Sequence, residues 1–76
     1  MGLATSDWLT RFAAELGIEP PGPQEVQELL ALAGVAAHAA ERTAAPLSCW
    51  LAARAGVGPA EGLRVAERLA AALGSD

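Results

Sequence analysis

The stretch from Gln24 to Arg42, QEVQELLALAGVAAHAAER, sets the architecture of this chain. Val26, Leu29, Leu30, Ala33, Ala37 and Ala40 recur at helical spacing, and Leu32, Val35 and Ala36 widen the stripe sideways. A helix that is apolar on more than one face needs neighbours on more than one side, so this segment is expected at the centre of a helical assembly. Glu25 and Glu28 lie in its first turns and Arg42 in its last, as the helix dipole favours. Gly34 weakens it by about 1 kcal/mol relative to Ala, which predicts a close helix crossing there. Pro46 restricts the residue before it and suits the first turn of a new helix, so the central helix is expected to stop near Arg42 or Thr43.

Toward the N-terminus, Thr5, Ser6 and Asp7 supply capping groups. Trp8, Leu9, Phe12, Ala13 and Leu16 follow at helical spacing until Gly17, which offers a left-handed stop and predicts a helix over about 6–17. Pro20-Pro21-Gly22-Pro23 denies the backbone helix geometry and amide donors, so a stiff loop is expected, with Ile18 pinned against the surface. Beyond the central helix, here 24–42, a third helix is predicted over 46–55 with Leu47, Trp50, Leu51 and Ala55 toward the core. Gly56-Val57-Gly58 breaks the chain again, and Pro59 opens a fourth helix over 59–73. There Leu63, Ala66, Leu69, Ala70 and Leu73 oppose Glu61, Arg64, Glu67 and Arg68, with the last residues from Gly74 fraying. The expectation is one all-α domain over 1–76, a compact four-helix bundle, orthogonal or up-and-down.

Seventy-six residues leave no material for a second core or a large catalytic cavity. The net charge of −4, with the Arg residues scattered at 11, 42, 54, 64 and 68, argues against nucleic acid and against an anionic membrane surface. A single cysteine makes no internal disulfide, and no Cys/His array is spaced for zinc. No apolar run reaches the roughly 18–20 residues that span a bilayer, and the first residues lack the pattern of a secretory signal. A cytoplasmic domain without cofactor or metal is expected.

The unusual chemistry is concentrated in HAAERTAAPLSCW, residues 38–50. His38 and Arg42 are four apart, so on a continuous helix they project from one side, near the start of the next helix, whose opening amides at Leu47 and Ser48 lack helical partners. A guanidinium, an imidazole and a helix N-terminus converging on one spot would suit phosphate or carboxylate. The same residues also suit a structural role. Arg42 can bond the last carbonyls of the central helix, His38 a neighbouring carbonyl, and Glu41 can fix the corner by an ion pair. A lone His without a second positioned acid, base or nucleophile is a weak catalytic signal. Ser48 and Cys49 sit near a helix start, where a thiol can be activated, yet Cys49 flanks Trp50 and Leu51 in a packing pattern, and Trp8 and Trp50 suit core or interface anchoring.

On the segments WLTRFAAELGI, LLALAGVAAHAAERTAAPLSCWLAARAG and the terminal helix, the chain resembles a small bacterial domain family of unknown function. That family occurs alone or fused to the C-terminal end of molybdenum cofactor guanylyltransferase-like proteins. The most specific part is Ala37-His38, Glu41-Arg42 and Ala45-Pro46-Leu47, followed by Trp50-Leu51. The family carries a Gly shortly after that aromatic-leucine pair, where this chain has Ala52-Ala53-Arg54, so no glycine-dependent role passes to Ala53. Fusion to such an enzyme implies a helper that docks onto the molybdenum cofactor machinery or a client molybdoenzyme. The chain has no Gly-rich phosphate loop and no metal-binding acidic pair, so it is not itself the transferase. The leading expectation is a non-enzymatic accessory or interaction module. The alternatives are a binder of a phosphate, nucleotide or pterin group at His38, Arg42, Leu47 and Ser48, and a homodimerising structural module.

Overall fold

The computed structural model describes residues 2–74 and contains four α-helices and, among the described residues, no strand: α1 Thr5–Leu16, α2 Pro23–Ala39, α3 Ala44–Arg54 and α4 Pro59–Gly74. Each boundary has a local cause. Gly17 adopts φ 76°, which lets its amide reach the carbonyl of Ala14 and that of Ile18 reach Ala13, closing α1 with the paired bonds of a left-handed stop. Gly56, at φ 80°, ends α3 in the same way, its amide on Ala53 and that of Val57 on Ala52. At the start of α2 the Glu25 carboxylate accepts from the Gly22 amide at 2.9 Å, and Pro23 takes the first helical position, where its missing N–H costs nothing.

The corner between α2 and α3 corrects the sequence-based boundaries. The central helix stops at Ala39 rather than Arg42, and α3 begins at Ala44 rather than Pro46. Pro46 excludes any helix that runs through both positions, because its ring would strike the carbonyl of Arg42, four residues back. The chain satisfies that constraint with a longer break. Residues 40–43 form turns in which the Ala44 amide bonds the carbonyl of Glu41 and the Ala45 amide that of Arg42. Pro46 then sits third in α3, still within the first turn, where no amide is required of it.

α2 packs along both α3 and α4, as expected of a helix apolar on several faces, whereas α3 and α4 approach each other far less. The three meet where Leu32, 3% exposed, lies under Gly62 of α4 and Ala52 of α3. A Cβ built on Gly62 would stand 3.2 Å from Ala52 Cβ and 3.4 Å from Leu32 Cδ2. The close crossing expected at Gly34 is therefore at Gly62, and Gly34 faces open space.

α1 stands apart. None of its Cα atoms comes within 8 Å of a Cα in α2, α3 or α4, and a hollow of about 530 Å³ lined by Leu9, Thr10, Pro21, Val26 and Leu30 separates it from α2. The molecule is the expected all-α four-helix bundle, 44 × 30 × 18 Å with a radius of gyration of 13.6 Å, and α1 is its outlying member. Several expected core positions are consequently exposed: Trp8, Phe12 and Leu16 on α1, Ile18 beyond it, Leu30 on α2, and Leu47, Trp50 and Leu51 on α3. Ile18 is 63% exposed, so it is not pinned. The reason is the same throughout: periodicity identifies an apolar face but not which surface packs against it.

Candidate functional site

Among the described residues, the side chains of the His38–Trp50 stretch make no hydrogen bond or ion pair with one another. His38, Glu41, Arg42 and Leu47 are exposed, and among the described residues no hydrogen bond or ion pair involves the side chains of His38, Glu41 or Arg42. Because α2 ends before Arg42, the four-residue spacing no longer places that guanidinium above the imidazole. The amides that open α3 are spent on the turn, those of Ala44 and Ala45 bonding Glu41 and Arg42 carbonyls. Ser48 is the fifth residue of α3, and in α-helical register its amide faces the Ala44 carbonyl. The corner is held by main-chain bonds and Pro46, with Ala45 partly buried beside it, and not by the side chains expected to lock it. Trp50, 61% exposed, lies on the outer side of α3.

Two polar residues of the stretch, His38 and Ser48, meet a concave surface. His38 lines a hollow of about 540 Å³ with Val35, Ala39, Ala70 and Leu73, beside the end of α4. Ser48 belongs to a different feature, the trough left open because α3 and α4 diverge above α2. One part, about 330 Å³, runs over Leu32, Leu51, Ala52, Gly62 and Val65; the next, about 210 Å³, runs over Val35, Ala36, Ala44 and Leu73. Ser48, Ala66 and Leu69 line both. Among the described residues Ser48 carries the only polar side chain along this trough, so its chemistry is that of an apolar seat with one hydroxyl. Cys49, on the neighbouring side of α3, is half-buried with its thiol 4.0 Å from the Leu29 carbonyl, which places it as a packing residue against α2.

The trough residues Gly62, Ala66 and Leu69 form no part of the chemistry expected from sequence. Their signal was nonetheless present, in small residues four apart on two helices: Ala44, Ser48 and Ala52 on α3, and Gly62, Ala66 and Ala70 on α4. Such stripes let helices approach or leave room between them. Which of the two holds depends on the third helix beneath.

A second apolar surface lies on α1. Trp8 and Phe12 stack with ring centroids 5.5 Å apart and planes 14° from parallel, and Leu16 extends the strip one turn further. Trp8 is 54% and Phe12 47% exposed. Asp7, Arg11 and Glu15 border it. Among the described residues no group of three or more His, Cys, Asp or Glu side chains is arranged to hold a metal ion, and no helix is long and apolar enough to cross a membrane.

No curated protein and no solved structure matches the chain. A family model does, over residues 2–75, and covers all four helices together with the trough and the α1 strip. The chain therefore belongs to the family described as Domain of unknown function (DUF6457).

Proposed function

We propose that this domain is a non-enzymatic accessory module whose work is protein–protein contact, in the cytoplasm, in the service of molybdenum cofactor synthesis or delivery. The observation that carries the reading is the pair of uncovered apolar surfaces, the α1 strip and the α3/α4 trough, on a chain of 76 residues. Exposed apolar surface of this extent is costly in water and marks a site that another protein covers. Among the described residues the trough offers a single hydroxyl and no cation, so it suits an apolar helix face better than a phosphate or nucleobase. The link to the cofactor rests on the resemblance to bacterial domains fused to molybdenum cofactor guanylyltransferase-like proteins, which names that enzyme and its client molybdoenzymes as partners. Fusion is an association, and its test is direct binding. The purified domain, titrated by interferometry against its host's guanylyltransferase and molybdoenzymes, is expected to bind at least one of them with micromolar affinity. No binding at ~100 µM by folded domain refutes the cofactor assignment.

A further inference from the structure

We infer that the surface is completed by a second copy of this chain, with the Trp8–Phe12–Leu16 strip of each chain seated in the α3/α4 trough of the other. The inference rests on the interaction reading above and names its partner. Area is the first argument. The chain exposes 5926 Å², whereas a compact monomer of 7.7 kDa exposes about 4,300 Å². The excess, roughly 1,600 Å² per chain, is more than the ~800 Å² per partner that a standard interface covers.

Shape is the second. Trp8, Phe12 and Leu16 repeat every four residues along one line of α1 that extends about 12 Å, and the trough follows α4 from Gly62 to Leu73, about 16 Å. An amphipathic helix laid by such a line of anchors into an apolar groove is a recurrent recognition mode. Each chain thus carries both the helix and the groove, and exchanging them satisfies both at once in a closed two-fold pair.

The third argument is that a chain cannot serve itself. Val26, Gln27 and Leu30 of α2 face the hollow shared with α1, whereas Leu32, Val35 and Ala36 floor the trough. At about 100° per residue those two sets lie on opposite sides of α2. The six-residue connection 17–22, stiffened by Pro20 and Pro21, places α1 on the side of α2 that faces the hollow and away from the trough.

Sedimentation equilibrium tests the exchange. Wild type is expected to be dimeric at low micromolar concentration. Phe12→Glu and Leu69→Arg, each placing a charge in the contact, are expected to weaken the dimer about 30-fold or more while retaining helical circular dichroism. Mixed in equal amounts they are expected to re-associate, because one contact of the mixed pair is native and the other sets Glu against Arg. A wild type that stays monomeric at several hundred micromolar, or a Phe12→Glu dimer as tight as wild type, overturns the inference. Should either variant unfold, hydrogen exchange on wild type decides. Protection of α1 amides must rise with the dimer fraction, and protection independent of concentration refutes the exchange. A monomer that still binds the guanylyltransferase overturns only the second copy, whereas a monomer that binds nothing overturns the interaction reading too.

Discussion

Replacing each of two helix-interior glycines by alanine is the same chemical change in opposite surroundings. At Gly34 the added methyl meets nothing within 4 Å. Only the helix propensity term acts, and Gly34→Ala is expected to stabilise the domain by about 1 kcal/mol. At Gly62 the same gain is opposed by packing. The new Cβ lies 3.2 Å from Ala52 Cβ and 3.4 Å from Leu32 Cδ2, at or inside the ~3.5–4.0 Å optimum for carbon contacts. Ala52 has no rotamer to change, and Leu32 is 3% exposed, so relief requires α3 or α4 to shift. Overpacking of this kind costs about 1–3 kcal/mol. Gly62→Ala is therefore expected to be neutral to destabilising, and to fall below Gly34→Ala by about 1–3 kcal/mol. At roughly 4–8 °C per kcal/mol for a domain of this size, thermal unfolding resolves the difference. All proteins must be compared at one concentration, because association shifts the midpoint. Adding Ala52→Gly to Gly62→Ala removes the opposing methyl, and a double-mutant cycle is expected to return a favourable coupling of at least about 0.5 kcal/mol. A Gly62→Ala protein that gains as much stability as Gly34→Ala, with no coupling to Ala52, refutes the three-helix junction.

Other substitutions separate side chains that hold the fold from those that only decorate it. Arg42→Ala and His38→Ala are expected to change stability by no more than about 0.5 kcal/mol in chemical denaturation, since both side chains are exposed and, among the described residues, unbonded; a loss above about 1 kcal/mol would restore the corner lock. Calorimetric titration of phosphate into wild type is expected to give no Arg42-dependent heat, and a heat abolished by Arg42→Ala would establish an anion site at the corner. Gly17→Ala forces a Cβ into a left-handed residue at φ 76° and is expected to cost about 1–2 kcal/mol, read as a lower unfolding midpoint. Leu32→Ala empties the junction and is expected to cost about 2–5 kcal/mol, enough to leave so small a domain largely unfolded by circular dichroism.

Much of this fold is legible in sequence, for identifiable reasons. Gly17, Gly56, Pro23 and Pro59 end or start helices through local backbone chemistry, which acts within a few residues and is visible in any window. The corner at 40–43 was harder. Pro46 dictates that a break must occur but not how long it is, and two or three residues decide whether Arg42 rides on α2 above His38 or leaves it. The proposed anion site depended on that difference. Gly34 and Gly62 show the limit of composition: both are glycines within helices, and only the crossing of α2, α3 and α4 makes one of them a contact. The largest gap concerns Trp8, Phe12, Leu47, Trp50 and Leu51. Their spacing announces faces to be buried, and that held no information on whether the covering surface belongs to this chain or another.

Where those faces go is the central claim, and isotope-filtered NOE spectroscopy addresses it most directly. Labelled and unlabelled wild-type chains, mixed by unfolding and refolding together, report only contacts between chains. Cross-peaks from the ring protons of Trp8 and Phe12 of one chain to the methyls of Leu51 and Leu69 of the other are the predicted result. Their absence from a folded, saturated sample, or the same contacts found only within a single chain, would contradict it.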